Sequence, residues 1–264
     1  MEALNYDEII KGLAQNDQQS IELEIYQTLS STNTYLLEKT LLSDTNICFA
    51  ESQTAGRGRR GKEWVSPDKS NLYFSIARLF TMNSSALSGL SLVIGITVAE
   101  TLQQYCEQKI GVKWPNDLLV DNKKLSGILI EIKNQNDGIC KVVIGIGINI
   151  DMTSDEAESI DRPYINFKQC DLHKPLLQNE LASNLLNNLL STLEIFNNLG
   201  FKAFIEQWNA LDVWLNKPVI LTVGDKEIEG IHNGIDITGG LILNVDGERS
   251  IWTSGEVSLR KSEL

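Results

Sequence analysis

Alternating apolar and polar positions predict several short strands in the first half of the chain. Residues 21–29 alternate in this way, which is the pattern of a half-buried strand. Residues 46–50, 72–80 and 141–150 are also predicted as strands because β-branched and apolar side chains dominate them. Residues 86–106 carry apolar side chains at helical spacing, which predicts a buried helix.

The second half of the chain separates into a long helical stretch and a series of short strands. Residues 176–199 carry leucines at helical spacing, which predicts a helix packed on the core, and residues 201–209 are predicted to continue as a shorter helix. From Pro218 onward, turns recur at the close spacing typical of a small barrel. The predicted strands there are 219–223, 227–235, 241–245 and 250–259. We place a domain boundary near residues 211–216.

Composition restricts the class of protein. The chain has 264 residues, 42% of them hydrophobic and 22% charged, which fits a soluble globular protein with one large domain and a small one. No apolar run is long enough to span a bilayer and the first 20 residues are unlike a signal peptide, so no membrane partner is expected. The formal net charge of -12 disfavours nonspecific nucleic-acid binding.

The cysteines and histidines indicate a reducing compartment. The chain has four cysteines at wide spacing, without a Cys-x-x-Cys motif, and only two histidines. This pattern argues against a zinc site and against a disulfide framework. We therefore expect a cytoplasmic location and no dedicated metal site.

The most unusual stretch, residues 51–64, reads ESQTAGRGRRGKEW. Its glycines permit close approach of the backbone to a ligand, and its arginines present planar groups that suit phosphate and carboxylate. Because three like charges repel one another, we expect the loop to become ordered when an anionic ligand binds. A solvated basic surface loop is the alternative interpretation.

Two familiar phosphate-binding patterns do not fit this loop. Residues 56–61 match the letters of the dinucleotide fingerprint, but Pro67 and a loop follow where a helix is required, and residues 76–85 contain no acid. The same letters begin a P-loop, but Glu63 stands where a magnesium-binding Ser or Thr is required. The loop is therefore predicted to bind anions in another way.

Two polar motifs accompany the basic loop. Ser31-Thr32-Asn33 precedes a predicted helix at residues 34–39, where these side chains could cap the helix or bind a small ligand over its start. In the run KWPND at residues 113–117, the proline bends the strand and displays the Asn and Asp that follow it. An ordinary turn is the alternative interpretation of the second motif.

Two further motifs lie in the predicted strands that follow. Residues 118–120 and 124–133 are predicted to form a hairpin that places Lys124 at a strand start, where a lysine is usually just solvated. Residues 145–149 read GIGIN, and the paired glycines indicate close approach to the backbone by a ligand or by a strand of a neighbouring subunit.

Together these motifs resemble those of the bacterial biotin–protein ligases, from about residue 21 to the C-terminus. The matching pieces are STN at 31–33, Gln53 with GRGRRG at 56–61, KWPNDL at 113–118, KLSGIL at 124–129 and GIGIN at 145–149. The resemblance implies an α+β fold, in which a mixed-sheet catalytic domain of the biotin/lipoate ligase type precedes a small SH3-like β-barrel. We accordingly expect a short N-terminal extension at residues 1–20, a catalytic domain at 21–212 and a C-terminal domain at 213–264.

The resemblance also implies a reaction. The family joins biotin to ATP, giving biotinyl-5′-AMP and pyrophosphate, and then transfers biotin to a lysine of a carrier protein. The expected carrier is the biotin carboxyl carrier domain of acetyl-CoA carboxylase, and Mg²⁺ is expected to arrive with ATP. Twenty N-terminal residues are too few for the DNA-binding domain of some relatives, so neither DNA binding nor a repressor role is expected. The strand at residues 141–150 could pair with its copy in a homodimer.

The resemblance assigns roles to individual residues. It places biotin against Ser31, Thr32, Asn33, Gln53, Arg57, Gly58, Arg59 and Lys124. It places ATP and the adenylate against Arg57, Arg59, Arg60, Trp64, Asn116, Lys124, Asn149 and Tyr164. Arg59, Asp117 and Lys124 are the expected catalytic residues: Lys124 bridges the carboxylate and the α-phosphate, and Asp117 orients or deprotonates the incoming amine.

Three other interpretations compete with this one. A lipoate–protein ligase shares the fold and the two-step logic, although the arginine-rich loop and the KWPND run favour biotin. A vitamin-sensing regulator that binds DNA is disfavoured by the net charge and the short N-terminus. A purely structural oligomer does not explain why Gln53, Lys113, Asn116 and Lys124 accompany the basic loop.

Overall fold

A computed structural model describes residues 2–41, 43–134, 139–253 and 257–261, which contain two β-sheets. The larger sheet has seven strands among the described residues. They are β1 (Ile21–Leu29), β2 (Thr45–Gln53), β3 (Asn71–Phe80), β4 (Gly111–Lys113), β5 (Asp117–Val120), β6 (Lys123–Asn134) and β7 (Cys140–Asn149). Their order across the sheet is β1-β2-β3-β7-β6-β5-β4. The strands expected in this half of the chain are confirmed with shifts of only a few residues at their ends.

The larger sheet is mixed, as the α+β prediction requires. β1 runs parallel to β2, and the other neighbouring strands run antiparallel to each other. Since β7 lies between β3 and β6, both of its edges are already hydrogen-bonded. The expectation that this strand pairs with its copy in a homodimer is therefore wrong, because a strand accepts a partner only at a free edge.

Helices cover both faces of the larger sheet. They are α1 (Tyr6–Gly12), α2 (Asp17–Ser20), α3 (Thr32–Glu38), α4 (Leu90–Gln103), α5 (Gln178–Leu199) and α6 (Ile205–Leu211). Ile47 and Phe49 of β2 point into the main core, to which α4 and α5 contribute, whereas Cys48 packs with Leu36 of α3. Successive strand residues point to opposite faces, so α3 packs against the second face.

The helix predicted at residues 86–106 is shorter in the structure. It begins after Gly89, whose backbone is left-handed (φ 80°), and residues 84–87 form a separate 3₁₀ turn. The segment Ser84–Gln103 is in fact long and apolar enough to cross a membrane, contrary to the sequence interpretation, but 67% of its apolar 18-residue stretch is buried inside the protein. The 14 residues of α4 span only about 21 Å, less than the thickness of a hydrocarbon core. This helix is a core helix of the fold.

Apolar residues between positions 4 and 13 pack into the main core. Ile9 of α1 is fully buried and Leu13 nearly so, and α1 lies against α5. The backbone N–H of Leu4 also donates to Glu51 Oε1 at 2.7 Å. The N-terminal residues therefore support the back of β2, the strand that ends at Gln53.

The smaller sheet follows α6 and is antiparallel throughout. Its strands are β8 (Pro218–Val223), β9 (Lys226–Ile235), β10 (Leu241–Val245), β11 (Glu248–Trp252) and β12 (Val257–Lys261), in the order β11-β10-β9-β8-β12. The single strand predicted at residues 250–259 is wrong. β11 pairs with β10 while β12 pairs with β8 at the opposite edge, so the chain must cross between them. The five strands confirm the small SH3-like domain of the predicted fold.

Buried contacts join the two sheets. Trp114 Nε1 donates to the carbonyl oxygen of Gly239 at 3.1 Å, and the ring of Trp114 is 1% exposed. Asp212 Oδ2 lies 2.6 Å from His232 Nε2, with both side chains almost completely buried. The turn between β4 and β5 is therefore held directly by the C-terminal sheet.

Candidate active site

Two neighbouring cavities lie over the larger sheet, beneath the basic loop. The larger has a volume of about 440 Å³ and the smaller of about 260 Å³. Of the residues predicted for the site, those that line the larger cavity are Ser31, Thr32, Asn33, Gln53, Arg57, Gly58, Arg59, Arg60, Trp64, Asn116, Asp117 and Lys124. Asn149 and Tyr164 line the smaller cavity together with Trp64 and Lys124. The structure thus brings all of the predicted residues together around two cavities that share lining residues.

One end of the larger cavity is built from uncharged side chains. We call it the neutral end and define it by the lining residues Ser31, Thr32, Asn33 and Gln53 together with the fully buried Ser75, which contacts Thr32 and Asn33. Ser31 caps α3 by accepting from the backbone N–H of Thr34, so the predicted capping does occur. Gln53 Oε1 lies 2.9 Å from the backbone nitrogen of Thr32 and 3.2 Å from its hydroxyl oxygen. The end of β2 is thereby fixed to the start of α3.

Ser75 and Glu131 complete this network and were missed by the sequence interpretation. Ser75 Oγ lies 2.7 Å from Thr32 Oγ1 and 2.6 Å from Asn33 Oδ1. Asn33 Nδ2 donates to Glu131 Oε2 at 3.0 Å. The available signals were a serine inside the apolar strand β3 and a carboxylate inside the apolar strand β6. Neither signal reveals its partner, because the contacts span more than 40 residues of sequence.

The paired glycines of β7 receive side chains of the same chain. A Cβ atom on Gly145 would lie 2.2 Å from Asn33 Oδ1, and one on Gly147 would lie 2.4 Å from the indole of Trp64. Gly127 of β6 faces the same indole at 2.8 Å. The predicted close approach is therefore confirmed, but the approaching groups are Asn33 and Trp64 rather than a strand of a neighbouring subunit.

The other end of the larger cavity is charged. We call it the charged end and define it by Arg59, Lys113, Asn116, Asp117 and Lys124. Lys124 Nζ lies 2.5 Å from Asp117 Oδ1, with about one tenth of each side chain exposed, and Lys113 Nζ lies 3.5 Å from Asp117 Oδ2. The turn at residues 114–116 places Asp117 at the start of β5, next to Gly127 of β6.

Burial and charge act against each other at this end. Burial alone would raise the pKa of Asp117, but the ammonium groups of Lys124 and Lys113 outweigh it, and the pKa lies below its ordinary value. Burial lowers the pKa of Lys124, with Asp117 opposing the change. Burial likewise lowers the pKa of Arg59, again opposed by Asp117. Asp117 is therefore an ionised carboxylate that holds cationic groups in a poorly solvated place.

Partners within the chain hold two arginines of the basic loop. Arg57 pairs with Glu131 through two contacts of 2.9 and 3.2 Å. Arg59 donates to Asn116 Oδ1 at 3.3 Å. Arg60 has a left-handed backbone (φ 57°) and an exposed side chain. The sequence interpretation counted only the repulsion among the arginines, so it missed these internal partners.

Lys124 lies at the junction of the two cavities, since it lines both. Its carbonyl oxygen accepts from Asn149 Nδ2 at 3.1 Å and from the backbone of Ile165 at 3.0 Å. Its Nζ atom lies 5.1 Å from the centre of the Trp64 ring, within the range of a cation–π contact. The main chain of Lys124 is thus fixed by β7 and by the segment that carries Tyr164.

Further residues around the cavities were not predicted. Asp161 and Arg162 line both cavities, and Leu259 and Arg260 of β12 reach the larger one. The C-terminal sheet therefore contributes directly to the wall of the site. Within the described ranges, no group of three or more His, Cys, Asp or Glu side chains is arranged to hold a metal ion.

Comparisons with known proteins agree with this architecture. Residues 25–149 match the profile of the Biotin/lipoate A/B protein ligase family, and residues 214–260 match the Biotin protein ligase C terminal domain. A solved biotin protein ligase from Aquifex aeolicus, in complex with biotin and ATP, superposes with a TM-score of 0.77 at 30% identity. The match covers 91% of this chain and 99% of that one.

Two curated relatives show the same likeness in sequence. The bifunctional ligase/repressor BirA of Escherichia coli K12 is 41% identical over 240 residues, which are 90% of this chain and 74% of that protein. The biotin–[acetyl-CoA-carboxylase] ligase of Paracoccus denitrificans is 30% identical over 220 residues, covering 82% of this chain and 91% of that protein. This chain therefore belongs to the biotin protein ligases, within the biotin/lipoate A/B protein ligase family.

Proposed function

We propose that this biotin protein ligase joins two anions in the first step and acylates an amine in the second. In the first step a carboxylate oxygen of biotin attacks the α-phosphorus of ATP, the bond to the β-phosphate oxygen breaks, and pyrophosphate leaves. In the second step a lysine amine of the carrier attacks the acyl carbon, AMP leaves, and the amine loses a proton. The protein must mainly supply positive charge and correct positioning.

The observation that carries the proposal is the place of Lys124 at the junction of the two cavities. The neutral end offers hydrogen-bonding groups without net charge, which suits the polar ring of biotin. The smaller cavity, with Asn149 and Tyr164, offers an amide and an aromatic face, which suits adenine. A ligand in each cavity would direct its anionic group towards Lys124. Its ammonium would then hold the carboxylate and the α-phosphate in attack geometry.

Arg59 and Asp117 support this geometry in different ways. The guanidinium of Arg59 adds positive charge beside Asn116, where charge develops on the phosphate. Asp117 has a lowered pKa because it faces two ammonium groups, and a carboxylate of low pKa is a weak general base. We therefore assign Asp117 to holding Lys124 and orienting the incoming amine rather than to proton removal.

Magnesium fits this site as a companion of ATP rather than as a resident ion. The carboxylate of Asp117 is already engaged by two ammonium groups, at 2.5 and 3.5 Å. Mg²⁺ usually keeps several waters and binds substrate phosphates, which it would neutralise here. The phosphate-facing groups of the chain itself would be Arg59, Arg60 and Lys124.

The carrier and the setting of the reaction follow from the family. We take the biotin carboxyl carrier domain of acetyl-CoA carboxylase as the protein substrate, a choice supported by the name of the Paracoccus denitrificans relative. A cytoplasmic location accords with four buried cysteines that are all free thiols. A homodimer stays a prediction and would have to use a surface other than β7.

Formation of labelled biotinyl-AMP tests the proposal. The protein is incubated with biotin, ATP labelled at the α-phosphate and magnesium, and the products are separated before any carrier is added. We expect a biotin-dependent adenylate that disappears when carrier is supplied. A label that remains in ATP, or an adenylate that forms equally well with lipoate, would contradict the proposal.

One alternative function is favoured by a specific observation. The Escherichia coli relative is named a bifunctional ligase/repressor, so a vitamin-sensing regulator is a second candidate. The net charge of -12 argues against it, because phosphate contacts dominate affinity for DNA. A gel-shift assay at low salt, with and without biotin and ATP, separates the two: a biotin-dependent shift would support the regulator.

A further inference from the structure

We propose that Glu131, on β6, is a positioning residue that fixes which groups donate and which accept hydrogen bonds at the neutral end. The inference rests on the proposed binding of biotin there. Glu131 has 21% of its side chain exposed and contacts Asn33 of the neutral end and Arg57 of the basic loop, both of which line the larger cavity.

Glu131 holds two groups at once. Its Oε2 atom accepts from Asn33 Nδ2 at 3.0 Å and from Arg57 at 3.2 Å, and its Oε1 atom lies 2.9 Å from the second terminal nitrogen of Arg57. The bidentate pair with Arg57 fixes the direction of the carboxylate. The Asn33 amide therefore faces a group that can only accept.

The direction of the remaining hydrogen bonds follows from the number of protons that each side chain can donate. Because Glu131 only accepts, Asn33 turns its Nδ2 towards Glu131 and its Oδ1 towards Ser75. Asn33 Oδ1 also only accepts, so the single proton of the Ser75 hydroxyl is used there. The Thr32 hydroxyl lies 2.7 Å from Ser75 Oγ and 3.2 Å from Gln53 Oε1, which accepts, so its proton is used on one of these two oxygens. The donor direction is fixed from Ser75 through Asn33 to Glu131.

This direction decides what a ligand meets. Thr32 and Asn33 both line the cavity, and each offers an acceptor there. The Thr32 hydroxyl oxygen keeps a free lone pair once its proton is used, and Asn33 Oδ1 has a second lone pair beside the one that Ser75 occupies. The ring urea of biotin carries two N–H groups, so the pattern matches it. With the Asn33 amide turned around, its Nδ2 would stand in place of this acceptor and the pattern would be lost. A site built on such bonds rejects ligands that cannot make them.

The substitution Glu131→Gln tests the inference because it keeps the shape and removes the charge. A neutral amide can donate as well as accept, so Asn33 is no longer held in one orientation. We expect the KM for biotin to rise about ten- to a hundredfold, as for loss of a hydrogen bond to a charged group, while the KM for ATP changes less than threefold. Glu194→Gln is the matched control, since it removes a carboxylate that pairs with Arg78 at the surface.

A rescue experiment separates this role from simple support of the fold. Asn33→Asp alone places two carboxylates about 3 Å apart, and we expect biotin binding to be largely lost. In the double variant with Glu131→Gln, the introduced amide donates to the introduced carboxylate, which still accepts from Ser75. The hydrogen bond between residues 33 and 131 is thereby restored, with donor and acceptor exchanged. We therefore expect the double variant to bind biotin at least tenfold more tightly than Asn33→Asp.

Calorimetric titration with biotin measures the affinity of every variant, and thermal unfolding shows whether each variant is folded. Wild-type protein that binds no biotin would reject the proposed function itself. Wild-type binding together with an unchanged KM in Glu131→Gln, or a double variant no better than Asn33→Asp, would overturn the role of Glu131 alone. If Asn33→Asp does not fold, the role of Glu131 is still tested by whether Glu131→Gln raises the KM for biotin more than the KM for ATP.

Discussion

The two ends of the larger cavity are built by opposite means. The neutral end comes from the start of α3 and from strands β2 and β3, and its Ser31, Thr32 and Asn33 are 2–4% exposed and joined by hydrogen bonds. The charged end comes from the basic loop and the turn before β5, and it is joined by ion pairs. The neutral end recognises its ligand by the direction of its hydrogen bonds, and the charged end acts on the reacting groups through charge.

This difference predicts which kinetic constant each end controls. Hydrogen bonds to a part of biotin that does not react are made equally in the ground state and the transition state, so their loss raises KM. Positive charge at the reacting atoms acts most strongly where new charge develops, so its loss lowers kcat. Substitutions at the two ends should therefore separate into two classes.

The largest expected effect is that of Lys124→Ala. Removing the ammonium should slow adenylate formation by at least about a thousandfold, comparable to the loss of a preorganised electrostatic group in other enzymes. Asp117 keeps Lys113 as a partner, so the loss of stability should be limited to about 1–3 kcal/mol. Rapid-quench measurement of biotinyl-AMP checks the rate, and thermal unfolding checks the fold.

A neighbouring lysine provides the control for that variant. Lys123 precedes Lys124 on β6 and is exposed. Lys123→Ala should leave adenylate formation within about twofold, as expected for an ordinary surface substitution. Equal rates in the two variants would exclude Lys124 from the chemistry.

The next effect concerns retention of the adenylate. Arg59 ties the basic loop to Asn116, and Arg59→Gly removes that bond together with the positive charge. Water and foreign amines should then reach the mixed anhydride, which the closed loop would otherwise protect. We expect biotin transfer to bulk albumin, relative to transfer to the carrier, to rise about tenfold or more, as for the loss of a charged hydrogen bond. An unchanged ratio would reject this role of the loop.

Substitution of Gly145 and Gly147, which both lie on β7, allows a direct comparison of the two ends of the larger cavity. Gly145→Ala would push on Asn33, and Gly147→Ala would push on the indole of Trp64. Each overpacking should cost about 1–3 kcal/mol, or roughly ten- to a hundredfold in the affected constant. We expect Gly145→Ala to raise the KM for biotin and Gly147→Ala to lower kcat. Steady-state kinetics on both variants tests this, and the same pattern in both would show that the ends do not act separately.

The pH dependence of adenylate formation should reflect the ionisation of Lys124 at the charged end. Burial lowers the pKa of Lys124, and the first step requires its ammonium, so the rate should fall at a lower pH than an ordinary lysine would give. Asp117 opposes this lowering, so Asp117→Asn should move the alkaline limb to still lower pH. A pH profile of single-turnover adenylate formation measures the shift. An alkaline limb that moves to higher pH in Asp117→Asn would contradict the expected direction of the shift in the Lys124 pKa.

The smallest effect is expected at Arg60. Its side chain is exposed, and its left-handed backbone suits glycine better than any other residue. Arg60→Gly should raise the KM for ATP only a few fold, since exposed charge pairs contribute about 1 kcal/mol or less. Unfolding should occur at the same or a slightly higher temperature. A hundredfold loss of activity would instead place Arg60 among the groups that touch the reacting phosphate.

Much of the fold was predictable because it is encoded locally. A period-two pattern marked β1, apolar and β-branched runs marked β2, β3 and β7, and the capping residues marked the start of α3. The C-terminal strands were recognised by their turns, except that β11 and β12 were joined into one. Their separation depends on pairing at opposite edges of the sheet, which no local pattern records.

The site was predictable as a set of residues but not as a set of contacts. The basic loop and the motifs around Asn33, Asp117 and Lys124 were identified from unusual residue types. Ser75 and Glu131 were missed because one polar residue in an apolar strand has many explanations until its partner is known. The glycines of β7 signalled close approach, but only the fold shows that Asn33 and Trp64 are the groups that approach.

A structure with both biotin and a non-hydrolysable ATP analogue bound would test the central claim most directly. The measurement is the distance from Lys124 Nζ to a biotin carboxylate oxygen and to an α-phosphate oxygen. We predict that both distances are about 3 Å, within hydrogen-bond range, with the vitamin ring at the neutral end and adenine in the smaller cavity. An ammonium that still contacts only Asp117, with the two anions placed elsewhere, would contradict the account.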